Sequence, residues 1–163
     1  MLKHGANVNT GDKEGWTALH IASEKGHVEV VRLLLKHGAN VNTAAEEGCT
    51  PLYEAVRLGH GKVVQELLNH DANANTAVKD ARTPLYQAVW FGDIEVVREL
   101  LKNGANVNTV NKDGCTPLYV ASEHGFFEVL RELLESDANV NTADGKGCNP
   151  LYAAGQNGHV EVV

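Results

Sequence analysis

Eight histidines and three cysteines are the side chains of this 163-residue sequence best suited to hold a metal, form a disulfide or act as a nucleophile. Their spacing argues against each use. Cys49, Cys115 and Cys148 share one phase of a 33-residue period. Equivalent positions on packed neighbouring helices stand about 8–10 Å apart, beyond the ~7 Å Cα separation that a disulfide spans. The plain reading is a small side chain just before a helix cap; the sharper alternative is a reactive thiol facing a partner. His27, His60 and His159 each follow a glycine, while His4, His37 and His70 close helical stretches, where a partly charged imidazole complements the helix dipole. His124 has no such slot. With no His-Glu-x-x-His, Gly-x-Ser-x-Gly, phosphate loop or Cys-x-x-Cys in the chain, neither catalysis, a metal nor a cofactor is expected.

The elements that position these side chains follow from a strict repeat. Asn-Thr returns every 33 residues, at Asn9-Thr10, Asn42-Thr43, Asn75-Thr76, Asn108-Thr109 and Asn141-Thr142. A period of this length marks one supersecondary unit, copied and stacked so that each copy buries its apolar face against its neighbours. The units are a partial one at 1–11, full ones at 12–44, 45–77, 78–110 and 111–143, and a partial one at 144–163. Their openings are Gly15-Trp-Thr-Ala-Leu-His20, Gly48-Cys-Thr-Pro-Leu-Tyr53, Ala81-Arg-Thr-Pro-Leu-Tyr86, Gly114-Cys-Thr-Pro-Leu-Tyr119 and Gly147-Cys-Asn-Pro-Leu-Tyr152. Gly26-His-Val-Glu-Val-Val31 answers to Gly92-Asp-Ile-Glu-Val-Val97 and Gly158-His-Val-Glu-Val-Val163. These residues closely resemble the ankyrin repeat, over essentially the whole chain. The resemblance implies an all-α solenoid of helix-turn-helix units with hairpin-like finger loops, forming a single domain that binds a protein partner through its concave face and finger tips. It also implies that His20 bonds local backbone, a slot taken by Tyr53, Tyr86, Tyr119 and Tyr152 in the other units.

The residues themselves support the helices. Thr17, Thr50, Thr83, Thr116 and Asn149 are good N-caps, and proline follows the last four, where a missing N–H costs nothing. Gly26, Gly59, Gly92, Gly125 and Gly158 can end the first helix in the left-handed region. A second helix follows, with a buried stripe such as Val28, Val31, Leu34 and Leu35. It stops at Gly38, Asp71, Gly104 and Asp137, and the Asn-rich segment beyond is expected to be extended.

A net charge of −7 without a basic stripe sets the chain against nucleic acid and anionic membranes. No apolar run approaches the roughly 20 residues of a membrane-spanning helix, so no membrane insertion is expected. Three cysteines, an odd number, point to a reducing compartment, the cytoplasm or nucleus.

Function is sought where the units differ. Trp16, Arg57, Leu58, Arg82, Trp90, Phe91, Glu123 and His124 form the candidate partner-binding set. Trp90-Phe91 departs most, replacing Glu24-Lys25, Arg57-Leu58, Glu123-His124 and Gln156-Asn157 of the other units. An exposed aromatic pair has the makeup of an interface hot spot; the alternative is that both rings lie down on neighbouring helices as a surface cap. Phe127 is expected in the core, with Phe126 either extending the aromatic patch or packing on the adjacent turn. Gly61 takes the slot of Val28, Ile94, Phe127 and Val160, which predicts a buried void and, with Ala74 in place of valine, a second unit that opens first in hydrogen exchange.

Both ends fall inside a unit, and residues 144–163 and 1–11 together supply 31 of 33 positions. The chain is therefore either a segment of a longer array or a unit that associates head to tail into an open filament. The resemblance further implies that Asn42, Asn75, Asn108 and Asn141 match the target of an asparaginyl hydroxylase. The acidic residue usual two places earlier is missing, however, and local hydrogen bonding in the finger is the alternative.

Overall fold

In the computed structural model, which describes residues 4–163, each Thr-Pro-Leu-Tyr starts a short helix. The first helices are α1 (Ala18–Glu24), α3 (Pro51–Arg57), α5 (Pro84–Trp90), α7 (Pro117–His124) and α9 (Pro150–Asn157). The second helices are α2 (Val28–Lys36), α4 (Gly61–Leu68), α6 (Ile94–Lys102) and α8 (Phe127–Glu135). In each pair the two helices pack on each other, and both rows stack in order, α1 on α3 on α5 on α7 on α9 and α2 on α4 on α6 on α8. The all-α solenoid expected from the repeat is present. No helix among the described residues is long and apolar enough to cross a membrane.

Local chemistry explains the boundaries. The hydroxyls of Thr50, Thr83 and Thr116 accept from the amides of Tyr53, Tyr86 and Tyr119 at 3.2, 3.2 and 3.1 Å, and the Asn149 side chain accepts from Tyr152 at 2.8 Å. The five predicted glycines lie at φ of 68–72°, and Gly38, Asp71, Gly104 and Asp137 at 61–82° close the second helices. The core is the same few residues repeated: Leu19, Leu52, Leu85 and Leu118 from the first helices and Val31, Val64 and Val97 from the second, all almost fully buried. On the outer row, Arg32 reaches Glu66 at 2.8 Å and Arg98 reaches Glu132 at 2.7 Å, tying first to second and third to fourth units. Gln65 stands at the corresponding place between second and third.

The Asn-rich segments are not extended. In each, the second asparagine's N–H donates to the side-chain oxygen of the first, as from Asn42 to Asn40 at 3.0 Å and Asn75 to Asn73 at 2.9 Å, closing a tight turn. The free amide of the second asparagine then reaches the next unit. Asn42 Oδ1 accepts from the Asn73 backbone at 2.7 Å, and its Nδ2 donates to the Asp71 carbonyl at 3.1 Å. Asn75 does the same to Asn106 and Gly104, at 2.7 and 2.9 Å, and Asn108 to Asn139 and Asp137, at 2.8 and 3.2 Å. This bidentate bridge requires one donor and one acceptor on a short side chain, which asparagine alone supplies at that length.

The fingers are hairpin-like, as the resemblance implies, and their tips join in register through Glu46 N–H to Glu14 O, Lys79 to Glu47, Lys112 to Asp80 and Gly145 to Asp113, at 2.8 to 3.1 Å. Ala81 occupies a finger position that is glycine in the sister units and sits at φ 62°. A β-carbon in this left-handed region costs about 1–2 kcal/mol, partly offset by the greater freedom of glycine in the unfolded chain. Ala81→Gly is therefore expected to raise the urea midpoint, by about 0.5–1 kcal/mol of stability.

Two expectations about the core are corrected. Phe127 is 40% exposed and does not enter it; Phe126 is the ring packed against it. Gly61 leaves no buried void, because an added β-carbon would meet only Val96 Cγ2 at 4.0 Å, over a shallow depression between α4 and α6. Both errors have one cause: the slot is the first position of the second helix, on the rim of the stack rather than inside it. Val160, at the same phase, is likewise exposed. Of the partial unit expected at 1–11, residues 1–3 lie outside those described.

Candidate functional site

His60, Phe126 and His159, each following a helix-ending glycine, lean back over the preceding unit, whereas Asp93 at the same phase caps its own helix by accepting from Val96 N–H at 3.2 Å. His60 Nε2 bonds the Glu24 carbonyl and His159 Nε2 the Glu123 carbonyl, each at 2.9 Å, with the rings lying against Gly26 and Gly125. Phe126 takes this place over Gly92, where a β-carbon would come within 3.0 Å of its ring. A phenyl ring has no donor for the carbonyl, and it stacks instead on His124, at a centroid distance of 5.3 Å and 19°. His124 in turn presents its edge to Trp90 at 5.2 Å and 65°, and Trp90 lies nearly parallel to Tyr86 at 6.5 Å. A four-ring array thus runs from the third unit to the fourth. His124, without a slot in the sequence, is its middle member, held by a 3.0 Å bond from Nδ1 to the Val120 carbonyl.

Trp90 remains 43% and Phe91 56% exposed, so the pair is not a buried cap, although one end of Trp90 rests on its neighbours. Beside them, fingers and first helices enclose a depression of about 920 Å³, lined by Tyr86, Trp90, Tyr119, Glu123 and Asp113 among others. Arg82, Asp80 and Lys112 also line a second depression of about 410 Å³, which reaches Arg57 and Glu54, so the two form one groove along four units, from 45–77 to the partial 144–163. Arg57 pairs with Glu54 at 2.6 Å, and Arg82 with Asp80.

Of the sequence-predicted set, Arg57, Arg82, Trp90, Glu123 and His124 come together along the groove, and Leu58 and Phe91 stand exposed at the ends of α3 and α5. Trp16 does not join them. It lies tilted on His20, at 5.5 Å, in the first unit.

Several groove residues were missed. Tyr53 donates to Gln87 Oε1 at 3.1 Å, and Tyr86 accepts from Asn111 Nδ2 at 3.0 Å, so tyrosines assigned to the framework bridge units and line the groove. Glu54 is almost fully buried. Its signal was a carboxylate at a phase that holds Ile21, Val120 and Ala153 elsewhere.

The cysteines are free and half-buried. Burial pushes the Cys49 thiol up to about 11, with the Glu54 carboxylate adding to it, and raises that of Cys115. Both are held protonated at neutral pH, which argues against reactive thiolates. His20 is fully buried: Nδ1 accepts from Thr17 N–H at 3.1 Å, so Nε2 carries the proton and donates to the Cys49 carbonyl at 3.1 Å.

Burial lowers the pKa of His20 from its ordinary 6.5. The unfolded chain then binds the extra proton first, and stability present above pH 6.5 is lost as pH falls toward the depressed folded value. Acid is therefore expected to weaken the first unit below pH 6.5, and His20→Tyr, the residue of the sister units, to remove that component from a pH series of urea midpoints.

Comparison with known proteins agrees with this architecture. The family model for ankyrin repeats matches in three copies, at residues 1–80, 45–111 and 85–163. The chain belongs to the ankyrin-repeat family. Ankyrin repeats are generally non-enzymatic modules of protein–protein interaction. A curated relative, Notch-regulated ankyrin repeat-containing protein A of Danio rerio, is 43% identical over 35 residues. The match takes in 22% of the chain and 31% of that protein, so the chain spans about a third of the length of this ankyrin-repeat relative.

Proposed function

We propose that residues 1–163 act as a single non-enzymatic scaffold that holds a protein partner along the concave groove and finger tips, with Trp90 and Phe91 as its anchor. One observation carries this reading: the largest departure from the repeat is also an exposed aromatic pair, of which Trp90 lines a depression of about 920 Å³. Buried aromatic anchors surrounded by polar groups supply most of the binding energy in protein interfaces. Arg57, Leu58, Arg82, Glu123 and His124 form the polar and apolar surround, and Trp16 serves as a separate contact at the first finger. The test is affinity capture from a lysate with the intact chain, the Trp90→Ala/Phe91→Ala variant and an outer-row Arg32→Ala control. Proteins retained by the first and third but not by the second support the reading; equal retention by all three refutes it.

A second reading, head-to-tail self-association, is favoured by Asn141. It forms the same turn as its sisters, but its side-chain amide lacks a protein partner among the described residues, and it lies beside a depression of about 300 Å³ lined by Leu134, Val140, Leu151 and Val163. In another copy, Gly5 at φ 86° and the Asn7–Asn9 turn already hold the shape that would continue the ladder. A following repeat of a longer chain would fit the same surface. Sedimentation that stays monomeric at high concentration would end the self-association reading.

A further inference from the structure

The groove carries more information than the presence of an anchor. Most of its charges are already answered: Arg57 by Glu54, Arg82 by Asp80 and Lys79 by Glu47. Asp144 is spent within its own turn, accepting the amides of Lys146 and Cys148 at 2.9 and 2.8 Å. Among the described residues Glu123 and Asp113 have no lysine or arginine within ion-pair distance, Glu123 meeting only the His124 imidazole at 4.0 Å, and both line the depression that holds Trp90, Tyr86 and Tyr119. Lys112 and Lys146 stand there too, on exposed finger tips. Among the residues lining this depression, the carboxylates of Asp80, Asp113, Glu123 and Asp144 nevertheless outnumber the cations of Arg82, Lys112 and Lys146. The Tyr119 hydroxyl is pushed up to about 12 by burial and then by Glu123 and Asp144, and the Tyr86 hydroxyl to about 12 by burial and then by Cys115, with Arg82 opposing and Asp113 and Glu123 adding to it.

Aromatic faces beside an uncompensated carboxylate are complementary to a cation, which the ring quadrupole and the charge attract together. A neutral or acidic side chain would leave Glu123 desolvated with only the His124 ring, at 4.0 Å, to answer it, a cost that a lysine or arginine does not incur. We propose that the Trp90 corner of the groove seats an arginine or lysine side chain of the partner, laid on the indole with its charge directed to Glu123. This inference rests on the groove being the protein-binding surface. The rest of the partner segment runs along the fingers toward Arg82 and Arg57.

The probe is a displayed random dodecapeptide library selected on the intact chain. Selected peptides are expected to carry a basic residue, to bind about tenfold more weakly to Glu123→Gln and to Trp90→Ala, and to weaken as salt is raised. Replacing that basic residue by citrulline or norleucine in a synthetic peptide should match the loss seen with Glu123→Gln. Circular dichroism and the thermal midpoint of Glu123→Gln check that the isosteric variant is folded. Peptides that depend on Trp90 but lack a basic residue, or bind Glu123→Gln unchanged, overturn the inference while leaving the groove as the binding surface. Selection of no peptide, or only of peptides indifferent to the Trp90→Ala/Phe91→Ala change, overturns both.

Discussion

Replacing Trp90 and Phe91 together by alanine is expected to lower partner affinity at least about tenfold while the thermal midpoint shifts by only a few degrees. An anchoring aromatic contributes about 2 kcal/mol or more in an interface, equivalent to roughly thirtyfold in affinity. In the free protein Phe91 is mostly exposed, and the half-buried Trp90 loses its stacking on Tyr86 and its contact with His124, each about 0.5–1.5 kcal/mol. Calorimetry of the variant alongside its titration separates the two quantities. A large fall in midpoint with affinity intact would make the pair a structural cap.

The asparagine ladder is expected to give the largest change in stability. Changing Asn42, Asn75 and Asn108 to alanine removes six inter-unit hydrogen bonds, two per residue. Such bonds contribute about 0.5–1.5 kcal/mol each, and the solvated position favours the lower half of that range, so a loss of about 3–6 kcal/mol is expected. Because these bonds join units, the transition should also broaden as neighbouring units uncouple. Aspartate at the same places keeps the acceptor but loses the donor, leaving a carboxylate against a carbonyl. Its protonated form restores a donor, so the Asn75→Asp variant should regain stability as pH falls below the carboxylate range, whereas Asn75→Ala should not. Urea midpoints at neutral and acidic pH read the difference.

Much of this was legible in the residues because stacking repeats local rules. The Thr and Asn caps, the left-handed glycines and the apolar stripe each belong to a single helix, and the period fixes their phase. What the sequence hid lies between units. Phase alone does not show that the first turn of the second helix faces the rim, so it points Phe127 and Gly61 inward and does not place Phe126. The Asn-x-Asn segment read as extended because its turn is closed by side chains rather than by a glycine or proline. Tyr86 and Tyr119 are hidden for the opposite reason, since a residue repeated in four of the five units looks like framework even where its hydroxyl and ring line the groove. Trp16 shared Trp90's chemistry but not its position, with His20 beneath it and no second aromatic from the next unit.

The claim on which the account turns is that the partner lies against the concave groove beside α5, not against the outer row of helices. A photo-crosslinking phenylalanine placed at Phe91, and separately at Val30 on exposed α2, tests it in the intact chain. Irradiation with bound partner is expected to yield a covalent adduct from position 91 and little from position 30. An adduct from position 30 with none from position 91 would contradict the account.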